Sequence, residues 1–276
     1  MKKSLVFFLC LSLCSLAGFS QFYYKDIISN KELLASMASY RDNKIHTVNI
    51  NSFEDDGSAS DGFFCQKKIS KDYKKVTVFT RSNVSGASEF TSIFNDAGLL
   101  QFTTDSSAIS LTKNSYSYDE AGRIKSIVSS VKSDDDDFTN EIREEHLYFY
   151  DDKGQPEKMV RIKNRRDSTN ILFAADEKGN IGIEKDSKSG TKFFYYYDAK
   201  KRLTDIVQSN DFRERLHPDY LFEYNGAGLL TQMTTTEEGG NDYYVWKYTY
   251  DNGLRVREKL YSKERKLMGS IEYEYK

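Results

Sequence analysis

The sequence predicts an all-β fold: tandem antiparallel β-hairpin repeats in a twisted meander sheet, with a small N-terminal cap containing one short helix. Three observations carry this. A phrase of the form aromatic–x–aromatic–Asp/Asn–x–x–Gly recurs through residues 91–276. The chain is rich in Tyr (20) and Phe (18), residues that suit pleated, half-buried surfaces. Pro is scarce (2), so long Pro-rich linkers are absent.

The acid or amide of the phrase falls at Asn95, Asp119, Asp151, Asp176, Asp198, Asn225 and Asp251. Self-similarity at such a period marks a repeat architecture. Residues at i and i+2 of a strand share a face, so Tyr116 and Tyr118 point the same way. Asp or Asn opening a type I turn caps the backbone two residues on, and Gly at the fourth position takes positive φ without steric cost. Asp119…Gly122 has both features, as do Asn95…Gly98, Asp151…Gly154, Asp176…Gly179 and Asn225…Gly228. Asp198…Lys201 puts Lys where Gly belongs. Asp251-Asn252-Gly253 is one residue shorter and suits a two-residue hairpin with Asn-Gly at its centre. After each turn a second strand is expected, as in Arg123–Val128 and Arg202–Val207. Polar connections of varied length follow at 129–139, 164–169, 185–190, 209–218 and 234–242. Fixed turns then lie along one edge of the sheet and variable loops along the other, where function usually sits.

The N-terminal part, residues 21–90, fits the repeat poorly. Ser29-Asn30-Lys31-Glu32 is a capping box that predicts a helix over 32–40. Strands are expected at 44–50 and 75–80, with a Gly/Ser/Asp loop over 55–62. This stretch is predicted to cap the first repeat.

Residues 1–20 have the form of a signal peptide: Met1-Lys2-Lys3, an apolar run over 5–16, then Gly18-Phe19-Ser20, with cleavage expected near Ser20. The run is too short for a membrane-spanning helix. Cys14 is a candidate lipid-attachment residue, but Leu13 before it is bulky, so ordinary cleavage is the expectation. The mature chain keeps one cysteine, Cys65, and forms no internal disulfide. The expected location is periplasmic, cell-surface or extracellular. The net charge is -2; without a basic excess, nucleic acid is not an expected partner.

The stretch YSYDEAGRIKSI (116–127) resembles the tyrosine-aspartate (YD, or RHS-type) repeat of bacterial cell-surface and secreted proteins. YYYDAKKRLTDIV (195–207) is similar without the glycine. The likeness covers 92–276 and is strongest at 114–128, 146–160 and 193–207. In long members such repeats wind into a β-rich shell that can enclose a toxin. The resemblance thus implies architecture and not a particular activity.

Few residues point to chemistry. His46, His146 and His217 show no metal-ligand spacing and are expected as surface or cross-strand residues. Asp134–Asp137 and the acidic loop over 55–62 are expected to be solvated, so neither a metal nor another cofactor is predicted. No G-x-S-x-G, H-E-x-x-H or phosphate-cradling glycine loop occurs. The tyrosine pairs are expected to form a cross-strand aromatic ladder. The candidate binding patch is Tyr243, Tyr244, Trp246 and Tyr248, around the only Trp. Charges on both faces of 141–150 argue against an outer-membrane barrel. The expected function is a non-enzymatic exported scaffold that binds protein or glycan at the cell envelope through its variable-loop edge. The alternative is a secreted or periplasmic polysaccharide hydrolase.

Overall fold

The computed structural model describes residues 22–133, 141–209, 217–237 and 242–276. The signal-like segment and Asp134–Asp137 lie outside them. Among the described residues one helix, α1 (Lys25–Asp42), precedes eighteen strands. These are β1 (Thr47–Phe53), β2 (Phe64–Ile69), β3 (Lys75–Ser82), β4 (Gly86–Phe94), β5 (Leu100–Ser107), β6 (Ser110–Tyr118), β7 (Ile124–Ser133), β8 (Ile142–Tyr150) and β9 (Pro156–Lys163). The second half comprises β10 (Asp167–Ala175), β11 (Ile181–Asp186), β12 (Lys192–Tyr197), β13 (Leu203–Ser209), β14 (His217–Tyr224), β15 (Leu230–Thr236), β16 (Tyr243–Asp251), β17 (Leu254–Ser262) and β18 (Leu267–Tyr275).

Each strand pairs antiparallel with its neighbours in the chain, and β18 returns to pair with β1 from Val48↔Tyr275 to Phe53↔Ser270. The predicted all-β meander is therefore present, but it closes into an 18-stranded barrel where an open sheet was expected. Closure pairs the backbone groups that two free edges would expose. The residues expected as a cap supply β1–β4 to this same ring.

The turns form as their chemistry dictates. In each four-residue turn the fourth N–H donates to the first carbonyl, as in Gly122 to Asp119 (3.0 Å) and Lys201 to Asp198 (3.0 Å). The opening side chain accepts further N–H groups: Asp119 Oδ1 takes Ala121 (3.0 Å) and Arg123 (2.9 Å), and Asp198 Oδ1 takes Lys200 (2.8 Å) and Arg202 (3.0 Å). Lys201 sits at φ 61, the left-handed conformation that Gly122 adopts at 75. Asn252 (φ 48) and Gly253 (φ 80) make the two-residue hairpin.

Six tyrosines, five of them directly before a turn, have a second role: each hydroxyl donates to the carbonyl two residues past the preceding turn's left-handed position. Tyr118 reaches Leu100 (2.8 Å), Tyr150 reaches Ile124 (2.7 Å), and Tyr197 reaches Ile181 (2.9 Å). Tyr224 reaches Leu203 (2.8 Å), Tyr250 reaches Leu230 (2.8 Å), and Tyr275 reaches Arg255 (2.6 Å). Each tyrosine thus staples its own hairpin to the one before. Two arginines reinforce the staples: Arg123 pairs with Asp119 and stacks on Tyr150 (4.4 Å), and Arg202 pairs with Asp198 and stacks on Tyr224 (4.8 Å).

Helix α1 lies inside the ring. Its residues, with the three before it, touch β2, β6, β8, β11, β12, β14 and β18, strands on every side, which is possible only from within. The short helix expected over 32–40 is longer and starts at Lys25, so Ser29–Glu32 is an internal turn and not a cap. Tyr24 at the N-cap makes no side-chain cap bond; the free N–H groups of Tyr23 and Tyr24 are instead taken by Glu184 of β11 (2.8 and 2.9 Å).

Register puts alternate residues inside. One apolar cluster gathers around the helix start, with Met159, Ile171, Ile181 and Ile206 at most 1 % exposed. A second surrounds Met37, with Val48, Ile69, Val76 and Leu100. The outward positions mix charge with exposed apolar side chains: Arg143, Glu145, Lys158, Lys185, Glu223, Lys247 and Lys259 stand on the same face as Phe79, Phe102, Phe149, Leu172, Ile183 and Leu221.

Candidate functional site

The barrel interior divides along its axis. Near the turn edge it is filled by α1, the tyrosine staples and the apolar clusters. Toward the loop edge small polar side chains enter the inward face, Thr103, Asp105 and Ser107 on β5, Thr112 and Asn114 on β6 and Ser129 on β7, alongside Phe90, Val131 and Ile142. Across the lumen, Tyr244 and Trp246 of β16 face inward opposite Thr235 and Met233. The result is a polar mouth over a filled floor.

A buried ionic clasp fixes the floor where the helix starts. His146 of β8, 8 % exposed, donates from Nδ1 to Asp26 Oδ2 (2.7 Å) and from Nε2 to Glu144 Oε1 (2.8 Å). Both ring nitrogens face carboxylate oxygens, so the ring is an imidazolium. Burial alone disfavours that charge, but the hydrogen bonds and charges of Asp26 and Glu144 outweigh it and push the pKa up to about 9. Tyr148 also donates to Asp26 (2.8 Å). Glu184, 2 % exposed, accepts Tyr23 N–H, Tyr24 N–H and the Tyr195 hydroxyl (2.7 Å). Burial pushes its carboxyl up to about 7, against the lowering pull of those three donors. Arg161 of β9 donates to the Tyr23 hydroxyl.

Above the clasp, at the loop edge, is a cavity of about 210 Å³. Arg161, Glu184, Asp186, Ser189 and Thr191 supply its polar wall, and Tyr23 and Phe193 its rings.

The structure divides the predicted aromatic patch. Tyr244, Trp246 and Tyr248 share the inward face of β16, whereas Tyr243 points outward and is exposed. Tyr248 is already engaged: Arg255 stacks on its ring (4.2 Å) while pairing with buried Glu258 (2.9 Å), which also accepts the Tyr273 hydroxyl (2.7 Å). His46 lies between the Ile69 carbonyl (3.4 Å) and the Tyr73 hydroxyl (3.2 Å). In the acidic loop, Asp56 caps Ser58 (2.9 Å). Among the described residues, no group of three His, Cys, Asp or Glu is placed to hold a metal ion, and no helix is long and apolar enough to cross a membrane. Sequence reasoning missed Glu184, Asp26 and Arg161. The one signal available was Glu144-Glu145-His146, an acid and a histidine on one strand face.

No protein-family model matches the sequence, and no curated protein matches it. Among solved structures, a porin-like protein from Bacteroides uniformis aligns with 84 % of this chain and 98 % of its own, at 10 % identity and a TM-score of 0.41. The Photorhabdus luminescens Tc holotoxin pore aligns with 77 % of this chain and 12 % of its own, at 13 % identity and 0.33. A porin-like protein from Bacteroides vulgatus aligns with 84 % and 98 %, at 12 % and 0.32. Overlaps this loose carry no argument about function.

Proposed function

We propose that this protein is a non-enzymatic exported scaffold of YD-type hairpin repeats that binds a protein or glycan at the cell envelope through its loop edge. The observation that carries this reading is the division of the lumen: a floor locked by internal bonds, and a polar mouth ringed by loops of unequal length. The buried ionisable groups are taken up by the fold itself. Both oxygens of Glu184 accept donors from the protein, both nitrogens of His146 are bonded, and Glu258 holds Arg255 and Tyr273. Acid–base catalysis needs a group within reach of a substrate proton, and these are committed elsewhere, which weighs against the hydrolase alternative.

The outer wall mixes apolar and charged side chains, and its lysines and arginines weigh against lipid, since each facing the bilayer midplane costs about 2–4 kcal/mol. The interior is also the reverse of a water-filled pore: α1 and two apolar clusters occupy it. Export rests on residues 1–20. N-terminal sequencing of the protein from the cell envelope should start at Gln21. The functional test is capture from envelope extracts with residues 21–276 as bait, alongside incubation with envelope polysaccharides. Recovery of a defined partner with no new reducing ends supports the scaffold. Release of reducing ends that is abolished by Glu184→Gln contradicts it.

A further inference from the structure

We infer that the cavity above the clasp is a binding site for one neutral sugar ring, the terminal unit of a glycan. This rests on the reading of the loop edge as the binding surface and narrows it to a ligand class. Arg161 is donor-only and a carboxylate is acceptor-only. Asp186 accepts Lys188 N–H (2.7 Å) and Ser189 N–H (2.9 Å) through Oδ1, which leaves Oδ2 for a ligand. The Ser189 hydroxyl donates to Thr191 Oγ1 (3.0 Å), so the Thr191 proton is available as a donor. A ligand seated here must accept from Arg161 and Thr191 while donating to Asp186. Hydroxyl groups do both, and neighbouring hydroxyls on one ring do so at neighbouring positions.

Charge and size narrow the class further. The positive Arg161 offsets the negative Asp186, and Glu184 is taken up by Tyr23 N–H, Tyr24 N–H and the Tyr195 hydroxyl, which favours an uncharged ligand over an acid or an amine. Tyr23 and Phe193, each 5 % exposed, close the inner end of the cavity, so the polar wall makes the contacts a ligand meets. At about 210 Å³ the cavity is smaller than the roughly 300–1,000 Å³ of drug-sized sites, so it suits one ring and not an oligosaccharide. Ser189 and Thr191 lie in the β11–β12 loop, so the rest of a glycan can leave through the loop edge. Glu184, saturated by the helix start, forms wall and does not attack the sugar.

The test uses the chain from residue 21 onward, with glucose, galactose, mannose and galacturonate as probes, followed by saturation-transfer NMR and calorimetry. The expected result is saturable binding of at least one neutral hexose with a Kd of order 1 mM, about -4 kcal/mol. Asp186→Ala should weaken it on the order of tenfold, and Thr191→Trp, which fills the cavity, should abolish it, with the Tm of the Trp variant close to that of the parent. The inference is overturned if none of the three neutral hexoses saturates, if both variants bind as the parent does, or if galacturonate binds most tightly. Loss of hexose binding with partner capture intact would remove this inference alone. Hydrolysis of a bound glycan would remove the scaffold reading as well.

Discussion

At the turn edge six tyrosines make the same bond, and the turn-opening Asp and Asn residues repeat one cap. At the loop edge the connections run from two residues between β5 and β6 to ten between β1 and β2. Consecutive hairpins already pair along their backbones, as β5 does with β6 and β7 with β8, and the tyrosine bonds add a side-chain joint at the turns. Each staple needs a tyrosine hydroxyl, a left-handed residue and the carbonyl two positions on, so sequence is constrained there and free at the other edge. The loop edge can therefore vary without disturbing the ring.

The largest test of this contrast compares truncations in the two halves of the lumen. Met159→Ala, at a fully buried position near the turns, should cost about 2–5 kcal/mol in denaturant unfolding, whereas Thr112→Ala at the mouth should stay within about 0.5. Equal costs would erase the distinction between floor and mouth.

Next is the pH dependence of the clasp. The pKa of His146 is about 9 in the folded chain against an ordinary 6.5. A folded pKa above the unfolded one means stability that is complete below about pH 6.5 and is lost as pH rises through about 9. At about 1.4 kcal/mol per unit the loss is on the order of 3 kcal/mol. Glu184, raised from 4.5 to about 7, adds a decline in the same direction as pH rises through that lower window. Unfolding free energies measured from pH 6 to 10 should fall for the parent and stay flatter for His146→Gln. Parallel curves would disconnect His146 from the clasp.

Single staples are weaker. Tyr250→Phe keeps the ring and removes one hydroxyl bond, for an expected loss of about 0.5–1.5 kcal/mol; no loss would make that staple incidental. Smallest is Lys201→Gly, which relieves a non-glycine residue at φ 61 and should stabilise by up to about 1 kcal/mol. Matched melting curves check it, and a variant no more stable than the parent would mean that this turn carries no strain.

These scales explain what was legible in the sequence. Turn chemistry is local, so Asp119…Gly122 and even the misfit Lys201 announced themselves, and with them the hairpins and the two unlike edges. Closure was not legible, because pairing Val48 with Tyr275 leaves no mark near either residue. The helix start was misplaced for the same reason. Its cap is Glu184, 161 residues from Tyr23, while the local capping box at Ser29 competes with it and loses. The patch around Trp246 was found by composition, but one-residue alternation along β16 sends Tyr243 to the opposite face.

Everything depends on a closed ring with the helix inside it. Solution NMR tests this most directly, through cross-strand NOEs between β1 and β18 and between the Tyr148 ring and Asp26. A closed, plugged barrel predicts NOEs for Asn49–Glu274 and Asn51–Glu272, contacts from Tyr148 to the first helical turn, and slow exchange of β1 amides. Fast exchange along β1 with neither set of NOEs would mean an open sheet and an undocked helix, and would contradict the account.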